Sequence, residues 1–352
     1  MSSNLTPTAI GRKNCHTRNG IGGSNPPASA TMKKLNIAVL IGGPSAEHEV
    51  SLASGKNVIE NLNKKKYKII PVKIDKVGKW KIANDLWLNE KQALKRLKEL
   101  KTDVVFIALH GEYGEDGTVQ QALERVGLKY TGSDAKASRI GINKIKSGQL
   151  FKKAGLLVPG FIEIKSRRKS ILPFYDRKLV EFPIVIKPVN RGSSVGITIL
   201  FKPNSKNVKA ATKKAGRFSK RVMIQKYIEG REVTCGILGN KALPPTEIIP
   251  LKRGFFDYFS KYQPGASNEI TPARLSKKLT KKIQKIALAV HKAIGARGFS
   301  RTDMILGNDG KIYVLEINTI PGLTKNSLIP KQGRAAGISF PKLLDRIIAL
   351  AQ

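Results

Sequence analysis

The chain has 352 residues, with 64 Lys and Arg against 25 Asp and Glu, a formal net charge of +39. Its length allows two or three domains with real cores, and 41% hydrophobic residues is a globular composition. These totals exclude a helical membrane span, since no run of about 18 apolar residues occurs, and they exclude a disulfide scaffold, since one of the two cysteines, Cys15 and Cys235, sits in an unusual N-terminal stretch.

Residues 1–31 carry Ser, Thr, Asn, Gly and Pro, no acid and no apolar periodicity, and are expected to be a disordered extension. A transit peptide would be acid-poor too, but no amphipathic pattern is present, and Arg12, Lys13 and Arg18 are the charges there. Met32 reads as the natural start. "NIAVLIGG" (36–43) is a strand ending in glycines, followed by a helix from Ser45 to about Asn61. "KIIPVKID" (68–75) and "DVVFIALHG" (103–111) are further strands, with a helix near 90–100 between them. This βαβ spacing predicts a parallel sheet in an N-terminal α/β domain over 32–132.

The second half is denser in strands: "FPIVIKP", "GITIL", "RVMIQKYI", "EVTCGIL", "TEIIPL", "SRTDMIL" and "KIYVLEIN". That density predicts antiparallel sheets in a central domain (133–225) and a C-terminal domain (226–352). A helix over 274–295 carries Leu275, Leu279, Ile283, Ile286, Val290 and Ile294 on one stripe, with Lys277, Lys278, Lys281, Lys282 and Lys285 elsewhere. A basic amphipathic helix can lie on a membrane or on DNA, but the expected reading is a core helix with a solvated face, and His291 in it is read as structural. The charge excess is spread along the whole chain and aromatics are only 6%, thin for base stacking. No specific nucleic-acid partner and no membrane partner are expected.

The chemistry-bearing stretch is a hairpin. Strands 300–306 and 311–318 flank Gly307-Asn308-Asp309-Gly310. A symmetric turn pairs Arg301 with Glu316 and Asp303 with Val314, which makes Asp303 and Glu316 diagonal neighbours on the order of 7–8 Å apart. By the period of two, Arg301, Asp303, Glu316 and Asn318 share one face. Two carboxylates and an amide oxygen form a hard-cation site suited to Mg²⁺ and phosphate. The same residues also read as a buried Arg–carboxylate network.

No P-loop or GxGxxG pattern is present. Instead "IVIKPVNRGSSVG" (184–196) delivers Lys187 from a strand into a loop with Gly192, Ser193, Ser194 and Gly196, groups that can cradle phosphate. Lys144 opens or precedes a helix. In "MIQKYIEGREV" (223–233), Lys226 and the backbone near Ile228 can read a base, and Glu232 a ribose.

Together with "LIGGPSAEHEVS" (40–51), "IALHGEYGEDGTVQ" (107–120), "FFDYFSKY" (255–262), "GFSRTDMIL" and "LEINTIPGLTKNSLIP" (315–330), this set resembles the ATP-grasp ligases, and among them the D-alanine–D-alanine ligase family, over residues 34–352. The resemblance implies an ATP-grasp fold of three domains, and a cytoplasmic enzyme that joins two D-alanines through an acyl phosphate for peptidoglycan synthesis. By motif match, Lys144, Lys187, Ser193, Ser194 and Lys261 would contact phosphates, Lys226 and Ile228 adenine, and Glu232 the ribose of ATP. Asp303, Glu316 and Asn318 would hold two Mg²⁺ ions, with Mn²⁺ as a substitute. The first D-alanine would meet Glu47, His110 and Gly322, and the second Ser327 and Leu328, with Arg301 at the reacting carboxyl. Glu47, Ser193 and Tyr262 would close a lid over 252–268. A homodimer is compatible with the resemblance. Gln225 stands where the family usually has an acid, and Phe256 where it has a tyrosine; Tyr262 favours a dipeptide over an ester product.

Overall fold

The computed structural model describes residues 33–165, 183–193, 195–202, 204–250 and 267–351. The N-terminal extension and most of the predicted lid lie outside these residues. Strand β1 (Leu35–Gly42) leads into helix α1 (His48–Asn61), then β2 (Tyr67–Ile74), β3 (Trp80–Ile82), α2 (Glu90–Glu99) and β4 (Val104–Ile107). These strands form a sheet in the order β3-β2-β1-β4, with β1 parallel to β2 and β4, and β3 antiparallel to β2. The parallel sheet is as expected; β3 is an addition. β1 is apolar on both faces because both are covered. Ala38 and Leu40 join one core cluster, while Ile37 and Val39 join another.

Helix α1 begins at His48, not Ser45. Ser45 instead makes the turn before it: its hydroxyl accepts from the Glu47 N–H at 3.0 Å, and its carbonyl from the His48 N–H at 3.1 Å. This sets Glu47 at the N-cap position of α1. The helix lies close on β1 because Gly55 has no side chain; a Cβ there would come within 1.9 Å of Ile41 Cγ2.

After α3 (Thr118–Arg125), two helices are separated by one residue, α4 (Ala135–Ile142) and α5 (Lys144–Lys153). Asp134 caps the first through the Ala137 N–H, and Asn143 caps the second through the Lys146 N–H. Lys144 therefore opens α5. The central sheet runs β5 (Phe161–Lys165), β8 (Arg221–Lys226), β6 (Ile184–Pro188), β7 (Thr198–Leu200), all antiparallel, with α6 (Ser205–Gly216) packed against it.

The last sheet is antiparallel as well. β9 (Gly230–Leu238) pairs with β10 (Lys241–Ala242) and β11 (Thr246–Pro250), and β11 with β12 (Ser267–Ile270). Residues 267 and 268, assigned to the lid from sequence, thus belong to a strand. Helix α7 (Lys277–Ala293) starts three residues later than expected, because Ser276 caps it through the Leu279 N–H. Ile283, Val290 and Ile294 enter the core beneath β9, β13 (Phe299–Gly307) and β14 (Ile312–Asn318), and the lysines of α7 stay exposed. His291 bonds Ser300 Oγ at 2.7 Å, and burial, helped by Lys292, pushes its pKa down to about 4. The core-helix reading holds.

Two closing helices, α8 (Leu328–Ala335) and α9 (Phe340–Ala349), return to the beginning of the chain. Leu344, Ile347 and Ile348 share a core cluster with Ile37, Val39, Val104 and Phe106. The C-terminal helices therefore cover one face of the first sheet, and Lys66 bonds Asp345 at 2.7 Å beside them. No helix among the described residues is long and apolar enough to cross a membrane.

One buried amide ties α8 to the last sheet. Gln332 is fully buried; its Oε1 accepts from the Gly236 N–H at 2.9 Å, and its Nε2 donates to the Thr234 carbonyl and to Thr246 Oγ1, both at 3.1 Å. Gln332→Leu keeps the volume but orphans these groups, and is expected to cost on the order of 2–4 kcal/mol. A urea unfolding midpoint that does not move would refute this.

Candidate active site

The acidic hairpin departs from the symmetric register. Its loop is Asn308-Asp309-Gly310: the Gly307 N–H donates to the Lys311 carbonyl at 2.8 Å, and Gly310 adopts φ +74°. A second shift occurs between Asp303 and Met304, where Asp303 pairs with Glu316 but Met304 pairs with Val314. Leu315 is the extra residue of this bulge. Arg301 faces Asn318, not Glu316, and Asp303 faces Glu316 directly rather than diagonally. The bulge sends Val314 into the core with Met304, while Glu316 turns to the cleft. Cross-strand partners share a face, so Arg301, Asp303, Glu316 and Asn318 still do.

Each of these groups has a definite partner. Arg301 grips Asp303 through Nε to Oδ1 and Nη2 to Oδ2, both 2.8 Å, and Thr234 Oγ1 donates to the same Oδ1 at 2.6 Å. Lys144, only 6% exposed, sets its Nζ 2.9 Å from Glu316 Oε2 and donates to the Arg191 carbonyl at 2.6 Å. Asn318 Oδ1 accepts from the Ile320 N–H at 2.9 Å. One lysine thus ties together α5, the 189–196 loop and the hairpin.

A cavity of about 390 Å³ opens on one side of Glu316. It brings together Glu47, His110, Lys144, Ser193, Arg301, Asn318, Gly322, Ser327 and Leu328 of the predicted residues. A smaller one of about 120 Å³ takes Lys187, Lys226, Ile228, Glu232 and Asp303. Glu316 lines both. Lys144, expected at phosphates, lies in the larger cavity and reaches the smaller through its bond to Glu316. Ser194, Lys261 and Tyr262 fall outside the described residues.

In the larger cavity, His110 follows β4 and is fixed on every side. Its N–H donates to Ser51 Oγ at 2.9 Å, Nε2 lies 2.8 Å from Ser54 Oγ, and Nδ1 3.1 Å from the Ile320 carbonyl. Glu115 Oε1 stands 3.6 Å from the same Nδ1. Burial opposes a charged imidazole here, but the Glu115 bond and charge, with Glu47 beyond, outweigh it and hold the His110 pKa above its ordinary value. Burial, then repulsion from Glu47, pushes the Glu115 carboxyl up as well, while His110 pulls it back. Glu115 was not given a role from sequence, although it sits in the quoted GEDG run; its burial beside His110 was the missing information.

The far end of the cavity is the start of α8. Ser327 occupies its N-cap position, and its Oγ accepts from the Thr324 N–H at 3.0 Å. A Cβ on Gly322 would meet Ser327 Oγ at 2.7 Å, so a larger residue there would displace that hydroxyl. A helix N-terminus with a hydroxyl beside it suits a carboxylate. At the near end, the 189–196 loop leans over Glu47: a Cβ on Gly192 would lie 3.5 Å from Glu47 Oε1, and Arg191 pairs with Glu112 at 2.5 Å. Glu269 also lines the cavity and is held by Lys331 at 2.7 Å, a residue the sequence reading passed over.

The two carboxylates and the amide oxygen form the hard-oxygen set that Mg²⁺ takes, and Asp303 and Glu316 already stand as neighbours, each beside a cation. The donor chemistry fits the ion. Among the described residues no group of three or more His, Cys, Asp or Glu gathers as a metal site, and the hairpin itself offers two carboxylates and an amide oxygen.

The chain matches the sequence model described as "D-ala D-ala ligase N-terminus" over residues 36–133, and that described as "D-ala D-ala ligase C-terminus" over residues 150–349. A D-alanine–D-alanine ligase of Syntrophobacter fumaroxidans is 44% identical over 324 residues, 91% of this chain and 98% of the relative. Among solved structures, the VanG D-Ala:D-Ser ligase from Enterococcus faecalis superposes with a TM-score of 0.79 at 33% identity, over 91% of this chain and 100% of that one. The D-alanine–D-alanine ligase from Bacillus anthracis complexed with ATP gives 0.74 at 33% identity, over 90% and 97%.

The His110–Glu115 pair yields a pH test. Both pKa values are raised, so the folded pair holds its proton more tightly than the unfolded chain. The imidazolium's stabilisation is complete below the unfolded histidine pKa, about 6.5, and is lost as pH rises through the higher folded value. The Tm advantage of the wild type over His110→Gln is expected to shrink from pH 6.5 upward. An advantage that grows across that range would contradict the assignment.

Proposed function

This chain belongs to the D-alanine–D-alanine ligase family, and from that membership we propose that it joins two D-alanines at the expense of ATP, supplying the dipeptide for peptidoglycan synthesis in the cytoplasm. The observation that carries the reading is that Glu316 borders both cavities. A carboxyl group activated by a triphosphate has to meet it at one place, and the two spaces adjoin at this residue.

The larger cavity takes the amino acids. Glu47, at the head of α1, holds the ammonium end of the first D-alanine; His110, Arg301 and Gly322 meet its carboxylate. The start of α8 at Ser327 and Leu328 takes the carboxylate of the second. The smaller cavity takes ATP, with Lys226 and Ile228 at the base, Glu232 at the ribose, and Lys187, Lys144, Ser193, Ser194 and Lys261 at the phosphates. Asp303, Glu316 and Asn318 hold two Mg²⁺, which when bound neutralise phosphate charge and polarise the transferred group.

The chemistry proceeds in two steps. An oxygen of the first D-alanine carboxylate attacks the γ-phosphorus, the bond to the β-phosphate oxygen breaks, and ADP leaves with that electron pair. The amine of the second D-alanine then attacks the acyl phosphate carbonyl; the amide forms, the nitrogen loses its proton, and inorganic phosphate departs. Both steps gather anions, so the lysines at the phosphates and Arg301 at the carbonyl oxygen lower the barrier by being in place beforehand. Asp303 holds the Arg301 guanidinium through two bonds until the ligands arrive. Water would destroy the acyl phosphate, and the 252–266 segment, with Tyr262 meeting Glu47 and Ser193, is the proposed lid.

Coupled ADP release is expected with D-alanine and Mg²⁺, and not with L-alanine or without a divalent metal. Equal rates on L- and D-alanine would overturn the function. Arg301→Met should lower kcat about 10²–10³-fold, as for loss of one oxyanion donor, with the KM for ATP changed much less. A variant with undiminished kcat would remove Arg301 from the reacting centre.

A further inference from the structure

The smaller cavity is a slot between the central and last sheets. Val185 and Ile199 line it from one sheet, Ile305 and Leu315 from the other. Two apolar walls of β-branched and aliphatic side chains suit a flat ring. What such a slot prefers among flat rings depends on the few polar atoms that meet the ring's edge.

Gln225 is one of these. It lies on β8, paired with Val185 on one side and Phe161 on the other, lines the slot, and is only 2% exposed. Its Nε2 is buried and has no acceptor among the described residues. A buried amide donor left in this way is costly, so a ligand group that accepts from it is favoured. The neighbouring backbone donors are committed elsewhere: the Lys226 N–H donates to the Gly160 carbonyl and the Tyr227 N–H to the Pro183 carbonyl, both at 2.8 Å.

We propose that Gln225 sets the base selectivity of this site, and that it admits 6-oxopurine nucleoside triphosphates beside ATP. The proposal rests on the ligase reading for the turnover it measures. Adenine presents an amine at position 6, a donor flanked by ring acceptors. Hypoxanthine presents a carbonyl there, an acceptor, beside an N–H donor. A carboxylate in this position accepts only, so it would favour the amine and repel the carbonyl. An amide carries one acceptor and one donor group. Its Oε1 accepts from the adenine amine while Nε2 donates to a ring nitrogen; turned over by half a rotation of the terminal amide, Nε2 donates to the carbonyl and Oε1 accepts from the ring N–H. That rotation exchanges atoms of nearly the same size and connects the two wells of a broad, roughly two-fold torsion. The buried Nε2 is satisfied by either base, and neither is rejected.

The test compares ATP with ITP, which changes position 6 without adding the 2-amino group of guanine. D-Alanine-dependent phosphate release by the wild type is expected to show kcat/KM values for the two within about tenfold. Gln225→Glu, which removes the donor at constant shape, should shift the ratio toward ATP by about a hundredfold, since a mismatched hydrogen-bonding edge is rejected far more strongly than a change of size. Calorimetric titration with the β,γ-imido analogues of ATP and ITP, without D-alanine, reads the same ratio in binding. A wild-type preference for ATP of a hundredfold or more, or a ratio unchanged in Gln225→Glu, overturns the proposal. Loss of turnover with both nucleotides would count against the ligase reading, and the binding ratio of the wild type would then decide the role of Gln225.

Discussion

The bulge between Asp303 and Met304 gives β14 one residue more than β13 over the same length, and that residue controls the direction of the carboxylate at the centre of the molecule. Without it, strand alternation would put Val314 and Glu316 on the same face. Either Val314 would leave the core or Glu316 would enter it, and each is expensive: the first exposes a fully buried valine, the second buries a charge away from the cleft. The extra residue, Leu315, absorbs the conflict. It lines the slot beside Glu316, so the bulged strand offers an apolar wall and a carboxylate in sequence. Everything gathered there, Lys144 from α5, Arg301 and Thr234 from neighbouring strands, and the 189–196 loop, is arranged around that turn of the backbone.

The same constraint explains why the closing helices are part of the site. The hairpin is continued by Ile320, Pro321 and Gly322 into the start of α8, and α8 is anchored by Gln332 to β9, the strand that carries Thr234 under Asp303. From there α9 reaches back to the first sheet, where Leu344 and Ile347 complete the core of β1 and β4. The first sheet in turn supports α1 and the stretch after β4, which present Glu47 and His110. The Leu323 carbonyl accepts from Asn57 Nδ2 at 2.7 Å, a direct tie between α1 and the segment before α8. Separate stretches of sequence therefore hold the two ends of one cavity at a set distance, through packed apolar surfaces and a few buried amides.

How much of this could be read from residues alone depends on the range of the interaction. Local rules served well where one cause dominated: the apolar run of β1, the stripe of α7 and the glycine turn of the hairpin all lie where expected. The grouping of Arg301, Asp303, Glu316 and Asn318 on one face was also legible, because strand alternation determines it in either register. The pairing itself was not. A three-residue loop and a bulge are both compatible with the same alternating pattern, and only packing of Val314 and Met304 selects between them. The start of α1 shifted because Ser45 satisfies its turn with its own hydroxyl and carbonyl. Glu115 and Gln332 were illegible for a further reason: each matters through a partner far away in sequence or through burial, and neither leaves a local mark.

Charge explains the remaining arrangement. A chain of net +39 places several of its few acids around one cleft, where Glu47, Glu115, Asp303 and Glu316 would repel one another if left alone. Three of them are met by a cation: Glu115 by His110, Asp303 by Arg301, and the partly buried Glu316 by Lys144. Breaking such a buried pair leaves an uncompensated charge and is costly, whereas exchanging one partner for another is not. The two ion pairs at the hairpin are therefore suited to exchange. Anionic ligands entering the cleft offer new partners to Lys144 and Arg301, and hard cations arriving with a triphosphate offer new partners to Asp303 and Glu316. Each charge exchanges one partner for another, so the site can stay folded before its ligands arrive and still bind them without first stripping a charge bare.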